Sequence, residues 1–408
     1  MIANNLETGA AIAIFLATYV VIALGRLPGF RLDRAGAALI GASLMVASGV
    51  MTMAEAYRAI DFDTIVVLLG MMIVIANLRL SGFFALVSAW VAHHAHHPFV
   101  LLAAIVLVCG VFSAFLVNDT VCLMLTPLVL ELVVTLRRNP VPYLLAIAMA
   151  SNIGSSATIT GNPQNIMIGS FSAIPYGSFL AALAPVALAG LAVTLLLIAG
   201  AYRKEFWGRQ ILAAVPRDSR INKQLLRKSV VVTALMVLGF FLVAPPAKVA
   251  IVAGALLLLT RRLKPERIYD EVNWSLLLLF AGLFIVVAGL EKTVMTPETL
   301  AAAAQLRLDR VPVLSAVAAI LSNLVSNVPA VLVLKPFVQH LQDQRTGWLT
   351  LAMASTLAGN FTILGSIANL IVVERARQGG VAIGFWTYFK LGAPLTVITI
   401  AIGVWWLS

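Results

Sequence analysis

Apolar runs long enough to cross roughly 30 Å of hydrocarbon recur along this chain at about 10–25, 35–53, 64–80, 179–201, 229–245, 273–290 and 385–407, with a shorter one at 247–261. Each predicts a membrane helix. Two more segments, 142–174 and 348–372, are long enough to span but are interrupted by Gly, Asn, Ser, Thr and Pro, so each predicts a helix broken at mid-depth. Together these make ten crossings. The remaining runs, 99–136 and 311–341, each hold two apolar arms joined by a polar apex, Asn118-Asp119-Thr120 in one and Ser326-Asn327-Val328 in the other. They predict helical hairpins. Such an apex must sit against protein or a wet cavity, because each unpaired backbone group facing lipid costs several kcal/mol.

The interrupted segments are copies of one another. Met149–Ile168 (MASNIGSSATITGNPQNIMI) recurs without a gap at Met353–Val372 (MASTLAGNFTILGSIANLIV), with seven of twenty positions identical. Ser113–Pro127 likewise matches Ser322–Pro336, and Asp61–Leu78 matches Asn273–Leu290, at offsets of 209 and 212 residues against 204 for the first pair. The matches are collinear and predict two related halves. Paired apolar segments broken by Gly and Pro are how secondary transporters build a binding site within the bilayer.

Composition sharpens this. With 61% hydrophobic and 11% charged residues the chain lies far outside soluble domains and is a polytopic membrane protein with the lipid bilayer as its surroundings. A net charge of +11 would suggest nucleic acid in a soluble protein, but no basic stretch is joined to a polar domain able to dock a duplex, so none is expected as a partner. The charge instead marks cytoplasmic loops. Starting outside, the inner loops collect 21 Lys and Arg and the outer side seven, spread over several short loops. Both termini are therefore expected to be periplasmic or extracellular, in a bacterial-type inner (plasma) membrane. No cationic segment precedes the first apolar run, so 10–24 is expected to be a retained helix.

The same assignment sends the helix at 64–80 inward and its homologue at 273–290 outward, so the repeats are inverted. The expected fold is an all-α polytopic membrane protein with two inverted-topology repeats, each holding a helical hairpin and a broken transmembrane helix. Its expected parts are N-terminal scaffold helices at 1–60, repeat 1 at 61–201, a basic cytoplasmic loop at 202–228, scaffold helices at 229–271 and repeat 2 at 272–408. The first hairpin enters from the cytoplasm, flanked by Arg137 and Arg138, and the second from outside, so the apices can meet near the midplane. That is an alternating-access architecture.

Unwinding a helix at mid-membrane exposes amide donors at one half-helix N-terminus and carbonyl acceptors at the other half's C-terminus, each carrying about half a unit charge. One end suits an anion and the other a cation. Gly154, Gly161, Gly359 and Gly365 permit the backbone conformations this needs, and Pro163 suits the first turn of the restarting half-helix. Ser155, Ser156, Thr158, Thr160 and Asn162 offer side-chain oxygens, while Gln164 and Asn165 can donate to an oxyanion. Asn360, Thr362 and Asn369 are the candidates in the second break, with Asn118, Asp119, Thr120, Ser326 and Asn327 at the apices. Small polar residues also help membrane helices pack, but their clustering at matching points in both halves favours a site.

Asp119 is the one carboxylate expected near mid-depth, where a charge costs at least about 2.5 kcal/mol. It is expected to bind a coupling cation or a proton, or to cap the second hairpin arm. Lys335 could attract an anion or balance Asp119, or snorkel to the outer surface. A Na+ ion is expected near Asn118, Asp119 and Gly154. Glu131 reads as an interfacial partner of Arg137 and Arg138, His93, His94, His96 and His97 as a solvated cluster in an inner loop, and Cys109 and Cys122 as small core residues. No GxxxxGK[ST], HExxH or GxSxG sequence occurs, and no long polar segment could hold a nucleotide-binding domain. An ion gradient, H+ or Na+, is therefore the expected energy source, with no organic cofactor and no enzyme chemistry.

These residues resemble the ion transporter superfamily of divalent anion/sodium symporters, citrate transporters, sodium/proton antiporters and arsenite efflux pumps, over nearly all of 35–408. Asn118-Asp119-Thr120 and Ser326-Asn327-Val328 look like its hairpin apices. Relative to the dicarboxylate symporters, Asp119 stands in place of Asn and Val328 in place of Thr. Val117-Asn118-Asp119 is similar to arsenite pumps, and ASNIGSSATITGNPQN looks most like the anion-permease branch. The resemblance implies a small anionic substrate, hairpins and breaks surrounding substrate and sodium, an elevator-like motion and a homodimer. Arsenite or antimonite efflux, Na+/H+ antiport and, from another class, an ion channel are the alternatives.

Overall fold

The computed structural model describes residues 2–24, 32–208, 222–242, 245–260, 263–294 and 305–408, so most of the expected basic loop, 209–221, lies outside the described residues. All regular structure among the described residues is helical. Among the described residues, eight helices are long and apolar enough to cross a membrane, two of them the arms of the first hairpin, Pro98–Phe115 and Asn118–Thr135. Exposed Leu188, Leu196, Val231 and Trp405 face outward as a lipid-contacting surface requires.

Most elements follow the apolar pattern, and the differences have local causes. The helix expected over 35–53 stops at Ala47, because the chain turns at Gly49 (φ +79°) and a Thr52–Glu55 capping box starts a separate short helix, Met53–Ala59. Glu55 accepts from Thr52 and pairs with Lys292, which holds its carboxyl down at about 2. The second broken helix begins at Gln344 rather than 348, since the Asp343 side chain caps Thr346 N at 3.0 Å. It ends at Gln378 rather than 372, as its last turns carry Glu374, Arg375 and Arg377 out of the apolar region. The histidines expected in a loop instead follow from a helix, Phe83–His94, whose last turn contains His93 and His94. His97 caps Phe99 N and its other ring nitrogen lies 2.9 Å from Gly208 O.

The scaffold consists of two three-helix bundles. Ile2–Leu24 and Arg34–Ala47 pack with Trp274–Val294, and Lys223–Leu242 and Pro246–Leu258 pack with Phe62–Ser81. A side chain at Gly282 would lie 2.6 Å from the Ala38 backbone, and one at Gly70 would lie 2.5 Å from the Ala250 backbone. Gly282 is 212 residues after Gly70 and Ala250 is 212 after Ala38, so one close crossing is made twice. Each bundle takes two helices from one half and one from the other. The duplication thus reaches further towards the start of each half than positions 61 and 272.

The hairpins and broken helices form a central unit with Tyr176–Ala201 and Phe385–Leu407. Both broken helices unwind in the same way. Pro140–Ser155 leads through a 3-10 turn, Ile159–Gly161, to Pro163–Ser172, and Gln344–Ala358 leads through Ile363–Gly365 to Ile367–Gln378. Thr158 and Thr362, 204 residues apart, have φ/ψ of −134°/163° and −134°/167°. Asn165 Nδ2 donates to the carbonyls of Ser155 (3.2 Å) and Thr158 (2.9 Å), and Asn369 Nδ2 donates to those of Gly359 (2.7 Å) and Thr362 (3.0 Å). These bonds satisfy carbonyls that the break removes from the helical ladder.

Ion pairs between elements join ends that loop charge assigns to one and the same side. Arg79 pairs with Glu271 and Arg138 with Glu205, all at ends assigned to the cytoplasm. Lys292 pairs with Glu55 and Lys335 with Glu291, all at ends assigned to the outside.

Candidate functional site: a cleft at the hairpin apices

Both apices and both breaks reach one cleft. Its walls include Asn118 and Asp119 from the first apex, Ser326, Asn327, Val328 and Pro329 from the second, Pro163 and Gln164 from the first break, and Ser366 and Ile367 from the second. The scaffold closes it with Ile22, Arg34, Leu276 and Leu279. The cleft volume is about 40 Å³, room for a few water molecules.

Every wall from the central unit is a helix start. Asn118 begins Asn118–Thr135, Asn327 begins Asn327–Gln339, Pro163 begins Pro163–Ser172 and Ile367 begins Ile367–Gln378. Four helix N-termini, each with unpaired amides and about half a positive charge, therefore meet at one polar cleft. Ser326 adopts φ +79°, ψ 159° at the second apex, a conformation that costs a non-glycine residue about 1–3 kcal/mol. The Oδ1 atoms of Asn118 and Asn327, matching residues of the two apices, are buried without a hydrogen-bond partner. Such orphaned acceptors suit a donor or a cation held in the cleft.

Behind the cleft lies an amide network that joins the halves. Asn152 Nδ2 donates to Asn360 Oδ1 (2.9 Å) and Asn369 Oδ1 (3.1 Å), and Asn152 Oδ1 accepts from Asn118 Nδ2 (3.1 Å) and Ser366 Oγ (3.0 Å). Thr356 is its counterpart in the second copy. Thr356 Oγ1 accepts from Asn162 Nδ2 and Gln164 Nε2, each at 3.2 Å, and faces Asn165 Oδ1 at 3.5 Å. Each copy's first half-helix thus supports the other copy's break.

The sequence-predicted residues fall into three sets. Asn118, Asp119, Gln164, Ser326 and Asn327 line the cleft. Ser155, Asn162, Asn165, Asn360 and Asn369 form the network behind it. The others hold backbone together: Ser156 Oγ bonds Ile153 O at 2.7 Å, Thr158 bonds Ala114 O, and the Thr362 carbonyl accepts from Asn369. At Gly161 and Gly365 a side chain would lie 2.1 Å from Ser155 O and 2.9 Å from Gly359 O, which explains glycine at both. Thr120 is half-buried and is not part of the cleft wall.

One placement differs from expectation, and for Lys335 the outer-surface alternative holds. Gly154 packs on the backbone of Gly110, where a side chain would meet Gly110 O at 2.1 Å, so it serves helix packing and does not line the cleft. Lys335 does not face Asp119. Its Nζ lies 3.4 Å from Glu291 Oε1 and 5.0 Å from the Phe171 ring centre, in an outer cavity of about 660 Å³ with Arg58, Asp61 and Asp63. The sequence reading missed Asn152, Thr356, Ser366 and Arg34. The first three lie inside the duplicated twenty-residue segment, and only their pairing across copies marks them. Arg34 counts among loop charges in one dimension and enters the cleft only once the helices are packed.

Fold and cleft together define a polytopic membrane transporter built on two inverted repeats. The sequence profile of the family described as citrate transporter (CitMHS) matches residues 19–358, and the chain belongs to that family. It is 32% identical to a "46 kDa membrane protein" of Mycobacterium leprae, over 96% of both chains. It is 31% identical to the "silicon efflux transporter LSI3" of Oryza sativa subsp. japonica, over 92% of this chain and 93% of that one. Among solved structures it shares its fold with the Alcanivorax borkumensis YdaH transporter, described as having an unusual topology, at a TM-score of 0.61 and 14% identity over 99% of this chain and 97% of that one.

Proposed function

We propose that this membrane protein is a secondary active transporter that moves a small inorganic or organic anion, coupled to an H+ or Na+ gradient, by alternating access. The meeting of four helix N-termini at the cleft carries this reading, because their amides and dipoles favour negative charge where hydrocarbon otherwise excludes it. The central unit is the moving body and the two bundles are the scaffold. Asp119 takes up the coupling proton, or joins the orphaned oxygens of Asn118 and Asn327 in holding Na+; an oxygen-only donor set of this kind suits a hard monovalent cation. The termini face the outside of a bacterial-type plasma membrane, and two copies assemble as a dimer.

The cleft volume bears on the cargo. A tricarboxylate fits into about 40 Å³ only if the walls part, whereas a small oxyanion needs little opening. That same volume, with a relative named for silicon efflux, favours export of a small hydroxylated acid such as arsenite or antimonite as the second reading. Proteoliposome uptake of citrate, succinate, sulfate, phosphate and arsenite, with Na+ and pH gradients imposed separately, tests both. Saturable accumulation of one of the four anions supports the first reading, and accumulation of arsenite alone supports the second.

A further inference from the structure

Among the described residues, Arg34 is the only cationic side chain in the cleft wall, and Asp119 is the only other ionisable one. It comes from the scaffold, as the first residue of Arg34–Ala47, and faces the apices across the cleft. It is half-buried, and among the described residues nothing is hydrogen-bonded or ion-paired to it. The neighbouring carboxylate is turned to its own helix, where Asp33 Oδ1 caps Gly36 N at 2.8 Å, and makes no ion pair with Arg34. Helix formation gives no reason for an arginine here, because a cation at a helix N-terminus opposes the macrodipole. The 212-residue repeat makes this explicit: the equivalent helix, Pro246–Leu258, starts with proline, the residue suited to that position.

The other cleft-lining scaffold residues also have counterparts. Leu276 and Leu279 correspond to Thr64 and Val67, and these line a cavity of about 300 Å³ with Pro246, at the outer end of the other bundle. The two bundles therefore present equivalent surfaces at opposite ends, and only the cytoplasmic one carries a positive charge at this point. The buried, unpartnered Oδ1 atoms of Asn118 and Asn327 in the same cleft mark it as a place where a ligand completes the bonding.

We propose that Arg34 is a specificity-determining residue that binds the negative charge of the cargo, a carboxylate or other small oxyanion, while the apices stand at the cytoplasmic end of the scaffold. Once the central unit moves outward, the cargo leaves the guanidinium for a wall without a cation, lined by Asp63 and Pro246. Affinity for the anion is then higher on the cytoplasmic face than on the outer face. The assignment rests on the alternating-access reading of the same cleft.

The test measures KM from each face, in inside-out and right-side-out vesicles, using whichever of citrate, succinate, sulfate or phosphate the wild type carries best. Arg34→Gln is expected to raise the cytoplasmic-face KM about tenfold or more, the loss typical of a charge-assisted hydrogen bond, and to leave the outer-face KM within about twofold. Arg34→Lys keeps the charge and restores most of the cytoplasmic affinity. Pro246→Arg, which leaves Arg34 in place, should lower the outer-face KM and keeps the test open should Arg34→Gln fail to fold. An Arg34→Gln protein unchanged on both faces, or weakened equally on both, overturns the assignment while leaving anion transport standing. A wild type that carries none of the four anions overturns the anion-transport reading and the Arg34 assignment with it.

Discussion

Asn152 and Thr356 hold the same place in the two copies, and each bonds across to the other copy's break. Removing the Asn152 amide would leave Asn118, Asn360, Asn369 and Ser366 each short of a buried partner. Asn152→Ala is therefore expected to destabilise the protein by on the order of 3 kcal/mol and to suppress uptake. Thr356→Ala, which truncates a smaller group, should cost less. Thermal unfolding in detergent alongside vesicle uptake checks the order. Asp119 is a separate matter, because no network bond involves it and the role we propose for it lies in coupling. Asp119→Asn is expected to abolish the response of uptake to an imposed pH gradient while the folded protein persists; an unchanged response would remove it from the coupling step. At this scale the sequence identified the apices and breaks by residue type. It could not separate Gln164, which lines the cleft, from Thr158, which bonds the Ala114 carbonyl, since both are buried polar residues in one motif.

Among the elements, the breaks depend on glycine to different degrees. A side chain at Gly161 would sit 2.1 Å from a backbone oxygen and one at Gly365 would sit 2.9 Å from its equivalent. Neither oxygen can swing away as a side chain could. Gly161→Ala should therefore prevent the first break from closing and lower the melting temperature sharply, with a smaller drop for Gly365→Ala; equal and negligible shifts would contradict the close packing. Hydropathy located nearly every helix here because lipid demands continuous apolar length, while it misplaced ends set by single caps. Asp343 and the Thr52–Glu55 box start helices at polar residues, where an apolar window sees nothing. The helix Phe83–His94 escaped for a related reason, since it follows the long helix Phe62–Ser81 after a single turn at Gly82 (φ +88°).

For the whole molecule, inversion was legible from loop charge alone, and the structure adds how the halves interlock. Gly70 on Ala250 and Gly282 on Ala38 show each scaffold bundle to be shared between the copies, which no one-dimensional match reveals. Because the bundles are equivalent but opposite in direction, the central unit has two similar surfaces to lie against, and the alternating access we propose is built on that equivalence. In that proposal the cleft of about 40 Å³ between apices and scaffold is one position of the unit. The measurement that bears most directly on the account is gradient-driven uptake by the purified protein in sealed proteoliposomes, with the anion panel offered under separate Na+ and pH gradients. The expected result is saturable accumulation of a small anion that collapses when the coupling gradient is dissipated. Passive, non-saturating flux with single-channel current, or no anion flux under either gradient, would contradict it.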